Sequence, residues 1–316
     1  MRILVTGGYG LIGHNVIPRL HAMGHTVVSV DTLTDYGIIP QAELTYLMQE
    51  RQKKIPVEVV NFTTDICDAR AMDALFVSFK PEAVLHLASF PRQKVVNANP
   101  AWGSRVMSEG LINLLESSTK HGVKKFVYAS SSMVYGDFED DVNEDYPCKP
   151  IGQYGIMKLA GEWLIKDYSR RTGMAYTIIR PSAVYGPLDV EDRVISKFVS
   201  TAIRGGTLRV KGEQELLDFT YVDDAADGIA SAITLDIANN KTYNITRGSS
   251  HTLYQAAQLA VQLAGSGTIE LEPKDNDFPS RAALNIDRAR QDLGFDPKVD
   301  IEEGFRIYYE WLRKIL

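Results

Sequence analysis

Cysteine is scarce in this chain of 316 residues, where Cys67 and Cys148 are the two present. So few thiols argue against a disulfide framework and are typical of a protein from a reducing compartment. Neither cysteine belongs to a C-x-x-C pair, so we expect no metal centre and no redox site. We interpret both as ordinary buried or half-buried thiols.

Long apolar runs and a strong charge of either sign are also missing. No apolar stretch approaches the roughly 20 residues of a membrane-spanning helix, and the N-terminus lacks the charged and apolar regions of a signal peptide. The formal net charge of −6 disfavours binding to nucleic acid or to an anionic membrane, which requires a basic surface. We therefore expect a cytoplasmic protein with neither nucleic acid nor membrane as a partner.

Short runs rich in valine and isoleucine alternate with longer stretches of helical periodicity. The predicted strands lie at 2–7, 26–31, 57–61, 83–88, 125–131 and 176–181. The predicted helices lie at 11–22, 68–79, 100–120 and 154–172. This alternation predicts an α/β fold with a doubly wound parallel sheet and right-handed crossovers.

The segment LVTGGYGLIG places Gly7, Gly10 and Gly13 between the first predicted strand and the first predicted helix. In that context, glycine permits a tight turn, lets the backbone approach a pyrophosphate and lets helix and strand pack closely. The pyrophosphate would sit on N–H groups at the start of the helix. The pattern predicts a dinucleotide-binding turn, although the same spacing also occurs in a tight strand–helix turn without a ligand.

Asp31 ends the second predicted strand, 18 positions after Gly13. A carboxylate there can bind both hydroxyls of an adenosine ribose. The next arginine or lysine after it is Arg51, so a 2′-phosphate has no obvious partner, and NAD is favoured over NADP. Asp65, after the third strand, is a candidate acceptor for the adenine amino group, with a helix N-cap as the alternative role.

The weaker alternation after residue 181 suggests a second structural unit. We expect residues 1–181 to form a Rossmann-type NAD-binding domain, with residues 218–247 folding back onto it. Residues 182–217 and 248–316 are expected to form a smaller C-terminal α/β substrate-binding part. No Gly/Ser linker separates the two, which predicts that the smaller part packs against the sheet.

Two further motifs, YASSSMVYG at 128–136 and YGIMK at 154–158, contain candidate catalytic groups. Tyr154 and Lys158 are four apart on a predicted helix and share one face. We expect the lysine ammonium and a positive nicotinamide to lower the tyrosine pKa from its usual value of about 10. Tyr154 could then take a proton from a sugar hydroxyl while a hydride leaves the same carbon. A serine at the strand end would hold the substrate oxygen.

Together these motifs resemble the extended short-chain dehydrogenases/reductases, specifically the NAD-dependent nucleotide-sugar epimerase/dehydratase group, over almost the whole chain. TGGYGLIG, LHLAS, SSSMVYG, RPSAVYGP and DFTYVDD each resemble a segment of that family. The resemblance implies a catalytic set of Ser131, Tyr154 and Lys158. It implies a cofactor site made by Tyr154 and Lys158 together with Gly7, Tyr9, Gly10, Leu11, Ile12, Gly13, Asp31, Asp65, Ile66, Leu87, Ala88 and Ser89. For the substrate it implies Ser131, Ser132, Tyr154 and Arg281.

The chain departs from the family pattern at Ala183, Leu217 and Met107, where relatives have asparagine, arginine and asparagine. The first two departures remove polar contacts at positions where relatives hold their nucleotide. The residues implied for hydride transfer are all present, so the departures bear on how the substrate is bound. Arg281, alone or with Arg193 or Arg209, is the candidate to bind the diphosphate instead.

The two residues directly after Ser131 bear on the choice among activities. A 4,6-dehydratase needs an acid there to protonate a departing hydroxyl, and this chain has Ser132 and Met133. An epimerase needs only the catalytic set and a tightly held NAD. We therefore predict a nucleotide-sugar 4-epimerase, with a UDP-sugar favoured as substrate.

Two alternative functions stay open on the sequence alone. A net dehydrogenase or ketoreductase would use the same residues with an exchangeable cofactor. A non-catalytic NAD-binding protein usually lacks the tyrosine or the lysine, and both are present here, which argues for an enzyme. The resemblance also implies a homodimer, formed through the predicted helices 100–120 and 154–172.

Overall fold

The computed structural model describes residues 1–34, 36–189 and 193–316. Its strands are β1 (Arg2–Thr6), β2 (Thr26–Val30), β3 (Val60–Phe62), β4 (Ala83–His86), β5 (Lys125–Ala129), β6 (Ala175–Pro181), β7 (Val184–Tyr185), β8 (Thr207–Lys211), β9 (Leu216–Leu217), β10 (Thr220–Tyr221), β11 (Lys241–Ile245), β12 (His251–Thr252) and β13 (Thr268–Glu272). Its helices are α1 (Gly13–Ala22), α2 (Gln41–Lys54), α3 (Ala69–Phe79), α4 (Gln93–Ala98), α5 (Pro100–Ser104), α6 (Leu111–Lys120), α7 (Gln153–Thr172), α8 (Val194–Ile203), α9 (Val222–Thr234), α10 (Leu253–Ala264), α11 (Asp287–Leu293) and α12 (Ile301–Leu312).

A parallel sheet of seven strands, in the order β11-β6-β5-β4-β1-β2-β3, runs through the described part of the chain. The chain starts in the middle of this sheet, because β1 pairs with β2 on one side and with β4 on the other. The predicted α/β doubly wound sheet is therefore confirmed. In such a sheet, ligands bind beyond the carboxyl ends of the strands, where the strand order reverses.

Both faces of the sheet are covered by buried clusters, which explains why its strands are rich in apolar residues. Alternate residues of β1 point to opposite faces. Ile3 and Val5 pack with α1 and α9 in one buried cluster. Leu4 and Phe126 pack with α3 and α6 in another. The two clusters fix the sheet between its helices and hold the strand ends in place.

The helix predicted over 100–120 is interrupted. A π-helical segment, Arg105–Gly110, separates α5 from α6. It buries Val106 and Met107, so Met107, one of the departures from the family pattern, lies in the core beside α3 and α6. A π turn accommodates one extra residue, and such turns are frequent at functional sites.

A further apolar cluster, formed by α8, α10, α12 and neighbouring strands, lies in the C-terminal half of the chain, and we call it the C-terminal cluster. There β8 pairs with β13 and β9 with β12. The chain also returns to the main sheet, where β11 pairs with β6. Across the described residues, no helix has both the length and the apolar character to cross a membrane.

Candidate active site

A cleft of about 310 Å³ lies beyond the carboxyl ends of β1, β2, β4, β5 and β6. Every residue predicted for the cofactor and for catalysis lines it. These residues are Gly7, Tyr9, Gly10, Leu11, Ile12, Gly13, Asp31, Asp65, Ile66, Leu87, Ala88, Ser89, Ser131, Tyr154 and Lys158. The structure therefore brings the dinucleotide motif and the Tyr–Lys motif, about 140 residues apart in the chain, into one site.

The glycine turn between β1 and α1 leaves room for a bulky anion. Gly7 has a φ of +72°, which glycine adopts without strain, and a Cβ there would lie 2.7 Å from the Ala88 nitrogen. A Cβ on Gly13 would collide with the Gly7 carbonyl oxygen and lie 2.7 Å from the Gly8 backbone. At Gly10 it would meet the Gly7 oxygen at 3.2 Å and otherwise face open space. These residues fit a pyrophosphate at the N-terminus of α1.

Asp31 is held by the backbone at the end of β2. Its carboxylate accepts hydrogen bonds from the N–H groups of Tyr9 at 2.9 Å and Leu33 at 2.8 Å. Burial raises the pKa of Asp31, and the two hydrogen bonds and the charge of Arg51 oppose that rise. A carboxylate fixed in this way can accept from two ribose hydroxyls.

Arg51, which was not among the predicted cofactor residues, also lines the cleft. Its Nη1 donates to the Tyr9 carbonyl at 2.9 Å, and its Nε and Nη2 donate to the Leu188 carbonyl at 3.2 and 2.6 Å. These N–H groups are directed at carbonyl oxygens, which agrees with NAD rather than with a 2′-phosphate. Leu44 and Met48 precede Arg51 on α2 at helical spacing and line the cleft too, a signal that the sequence contained.

Asp65 lies in the cleft and accepts from the Cys67 N–H at 2.9 Å. The N-cap of α3 is Asp68, which accepts from Arg70 and Ala71. The alternative role of Asp65 as a helix cap thus belongs to Asp68. Its contact with adenine stays a prediction.

The three predicted catalytic residues meet where β5 ends beside α7. Lys158 is buried, donates from Nζ to the Ala129 carbonyl at 2.7 Å and lies 5.8 Å from the centre of the Tyr154 ring. Ser131 is hydrogen bonded to Tyr154, and its hydroxyl accepts from the Met133 N–H at 3.2 Å. A phenol, an ammonium and a hydroxyl are thus held together at one end of the cleft.

The electrostatics differ from the prediction that Lys158 lowers the tyrosine pKa. Burial raises the pKa of Tyr154, and the charge of Arg193 and the hydrogen bond with Ser131 oppose that rise. Burial also lowers the pKa of Lys158 to about 7, against the charge of Glu162. The ammonium that was expected to stabilise the phenolate is itself destabilised by burial, and among the described groups Arg193 is the cation that acts on Tyr154.

Glu162, two turns after Tyr154 on α7, fixes that helix to the strand ends. Its carboxylate accepts from the Ser130 hydroxyl at 2.5 Å and from the Arg180 Nη2 and Nε at 2.6 and 2.9 Å. Both members of this ion pair are buried. Breaking such a pair costs about 3–5 kcal/mol, because it leaves an uncompensated buried charge.

Two of the predicted substrate residues are not among the residues that line the cleft. Ser132 is buried at the start of a 3₁₀ turn, Ser132–Val134. Arg281 is half-buried, and burial lowers its pKa to about 10. Within the described chain, its Nε has no hydrogen-bond partner. The geometry adds no support for a substrate contact by either residue, and both stay predictions.

The departures from the family pattern divide between the cleft and the core. Ala183 lines the cleft, whereas Leu217 packs in the C-terminal cluster. Arg193 lines the cleft as well and pairs with Asp189 at 3.2 Å. Arg209 forms exposed ion pairs with acidic residues of β13. Of the two alternative diphosphate partners, the structure brings Arg193 into the cleft.

Comparison with known proteins extends this picture. The sequence profile of the NAD-dependent epimerase/dehydratase family matches residues 3–246. The chain is 31% identical over 322 residues to the UDP-glucose 4-epimerase of Mycolicibacterium smegmatis, with 99% of each chain covered. Its structure is similar to that of the Thermotoga maritima UDP-glucose 4-epimerase with UDP-glucose, at 29% identity and a TM-score of 0.89, covering 100% of this chain and 99% of the other. It is also similar to the Thermus thermophilus UDP-glucose 4-epimerase with NAD, at 27% identity and a TM-score of 0.88, covering 100% of both.

Proposed function

The chain belongs to the NAD-dependent epimerase/dehydratase family, and from that premise we propose that it interconverts two epimers of a UDP-sugar at C4. Family membership confirms the resemblance inferred from the motifs, the enzymatic function and NAD as the cofactor. Epimerisation rather than dehydration, the C4 position and the UDP moiety are the parts that we propose.

The cleft offers partners for two polar parts of NAD, its pyrophosphate and its adenosine ribose. The turn at Gly7, Gly10 and Gly13 would hold the pyrophosphate, and Asp31 the adenosine ribose. Tyr154 and Lys158 would lie beside the nicotinamide half. Bound NAD supplies a hydride acceptor that can later return the same hydride.

Tyr154 acts as base and then as acid in this proposal. Its phenolate takes the proton of the C4 hydroxyl as the C4–H bond gives up its electron pair as hydride, which leaves a ketone at C4. Ser131 donates a hydrogen bond to the reacting oxygen and positions it. Tyr154 returns the proton to that oxygen when hydride adds to the opposite face of C4. Arg193 stabilises the phenolate by its positive charge, and Lys158, which donates to the Ala129 carbonyl, lies beside the Tyr154 ring.

One observation favours epimerisation over dehydration. The two residues after the catalytic hydroxyl, Ser132 and Met133, carry no carboxylate and are buried. Among the described residues, the carboxylates that line the cleft are Asp31, Asp65 and Asp189, and Asp189 is paired with Arg193. None of these occupies the place of an acid that could protonate a departing hydroxyl.

We also propose that the protein is a homodimer in which α7 contributes to the interface. Ile156 and Trp163 lie seven residues apart on one face of α7 and are 51% and 66% exposed. Trp163→Glu should shift the mass measured by light scattering from dimer to monomer, and a monomeric wild type would refute this interface. The cytoplasmic location stays a prediction.

The test of the proposed activity uses the purified protein and separate UDP-, GDP-, CDP- and dTDP-sugars. We expect UDP-glucose or another UDP-sugar to equilibrate with its C4 epimer, seen by NMR, without net formation of NADH. Accumulation of NADH would identify a dehydrogenase, and a product that has lost water would identify a dehydratase. Either result would contradict the proposal.

A further inference from the structure

Arg51 is a buried charge that the proposed chemistry does not use. It is 4% exposed, and burial lowers its pKa to about 10. The carboxylates of Asp189 and Asp31 favour its charged form. A buried guanidinium persists only where partners compensate its desolvation. Here the hydrogen-bond partners are the carbonyls of Tyr9 and Leu188. We therefore expect the function of Arg51 to lie in how it holds the two chain segments that carry these carbonyls.

The two carbonyls belong to distant parts of the chain. Tyr9 lies in the glycine turn, and its N–H donates to Asp31 while its carbonyl accepts from Arg51. Leu188 lies 137 residues beyond Arg51, in the segment after β7. Arg51 therefore connects the dinucleotide turn directly to the segment that leads away from the main sheet.

The backbone conformation of Leu188 indicates that Arg51 holds this segment in place. It is a buried non-glycine residue with a φ of +69°, in the left-handed region. A branched residue adopts that conformation only where its surroundings enforce it. The Arg51 Nε and Nη2 both donate to its carbonyl, at 3.2 and 2.6 Å, and supply such a constraint.

Arg51 is close enough to Asp31 and Asp189 for both carboxylates to favour its charged form. We call the part of the cleft around Asp31 and Asp65 the adenosine end. Arg51 and Asp189 line the cleft together with Leu44 and Met48 of α2. Arg51 thus links α2 to the segment at Leu188 beside the Asp31 carboxylate.

We propose that Arg51 is a positioning residue that fixes Leu188 and Asp189 against the adenosine end of the cleft and thereby sets how long NAD stays bound. The inference deepens the proposed function, because an epimerase must keep its cofactor between the oxidation and the return of the hydride. Retention of NAD is nevertheless measured without any sugar, so the two proposals can fail separately.

The test compares three variants of the full chain. Arg51→Met removes the charge and all three hydrogen bonds with a side chain of similar length. Arg51→Lys keeps the charge but has fewer hydrogen-bond donors. Lys53→Met is the matched control, since Lys53 lies on the same helix, is 69% exposed and pairs with Glu50. Each protein is passed through a desalting column, and the NAD retained per chain and the rate of NAD dissociation are measured.

We expect NAD to dissociate about 10- to 100-fold faster from Arg51→Met, as the loss of charged hydrogen bonds implies. Arg51→Lys should be intermediate, and Lys53→Met should match the wild type. Turnover of Arg51→Met should rise with added NAD, whereas that of the wild type should not. An unchanged dissociation rate in Arg51→Met would overturn the proposal.

A merely structural role of Arg51 gives a different pattern. In that case, Arg51→Met would lower the melting temperature equally with and without saturating NAD, and the rate of NAD dissociation from the folded variant would be unchanged. If Arg51→Met does not fold, Arg51→Lys decides, since unchanged NAD dissociation in that variant also overturns the proposal. Faster NAD loss without any epimerisation would uphold the role of Arg51 and refute the proposed function.

Discussion

Two glycine-to-alanine substitutions in the glycine turn should have different effects, one on the stability of the fold and the other on NAD binding. Gly10→Ala and Gly13→Ala each add one methyl group, three residues apart. The methyl of Gly13→Ala would point into the backbone of Gly7 and Gly8, and that of Gly10→Ala into the cleft. We therefore expect Gly13→Ala to destabilise the fold and Gly10→Ala to weaken NAD binding alone.

The neighbouring atoms determine the expected magnitudes. At Gly13, the added Cβ meets the Gly7 oxygen and lies 2.7 Å from Gly8 backbone atoms, which are part of the turn and cannot rotate away. Overpacking of this kind costs about 1–3 kcal/mol. Replacing glycine by alanine restores about 0.4–1 kcal/mol through the unfolded chain, so the clash dominates. At Gly10, the one close atom is the Gly7 oxygen at 3.2 Å, and the two effects nearly cancel.

Thermal unfolding and NAD titration measure the two outcomes. Gly13→Ala should lower the melting temperature by roughly 2–10 °C, since 1 kcal/mol corresponds to about 2–4 °C in a large domain. Gly10→Ala should melt within about 2 °C of the wild type by the same relation, yet bind NAD about tenfold or more weakly. Equal NAD affinity in Gly10→Ala and wild type would refute the placement of the pyrophosphate.

Three further predictions concern single side chains. Tyr154→Phe should lower kcat by about 10²–10⁴-fold while NAD stays bound; turnover equal to the wild type would exclude Tyr154 as the base. Arg193→Gln removes the charge that opposes the rise in the pKa of Tyr154, so the acidic limb of the kcat–pH profile should move to higher pH, and an unmoved limb would contradict this role. Burial, with the charge of Lys158, lowers the pKa of His86 to about 3. Between about pH 6.5 and pH 3, the unfolded chain binds a proton at His86 that the folded chain does not. The free energy of unfolding should therefore fall by about 1.4 kcal/mol per pH unit as the pH is lowered through that range. His86 Nδ1 is hydrogen bonded to the Thr6 hydroxyl at 2.7 Å, and the amide of His86→Gln can keep a hydrogen bond there without titrating. Denaturant titrations of this variant should show a flatter pH dependence; the same slope as the wild type would refute this.

The features that could be predicted from the sequence are local. The glycine turn, Asp31 and the pair Tyr154 and Lys158 are each defined by spacing within one strand–helix junction or one helical turn. The alternation of strands and helices similarly predicts the sheet, because buried parallel strands are largely apolar.

The features that could not be predicted depend on packing between distant segments. The charge of Arg51 acts on Asp31 only because α2 lies along the cleft, and the hydrogen-bond partner Leu188 comes from another part of the fold. The pKa of Tyr154 was expected to be lowered because Lys158 is one turn away. Spacing along a helix does not reveal that burial destabilises both charged groups, nor that Arg193 is the cation acting on the phenol. The π turn within 100–120 likewise has no signal in the apolar pattern.

The most direct test of the proposed activity tracks the hydrogen at C4 of the sugar. UDP-glucose labelled with deuterium at C4 is incubated with the purified protein, and both epimers are recovered and examined by NMR. If the hydride is taken up and returned within one site, deuterium remains at C4 in both epimers and no NADH accumulates. Loss of the label to solvent, or a single product that has been oxidised or dehydrated, would contradict the assignment of a 4-epimerase.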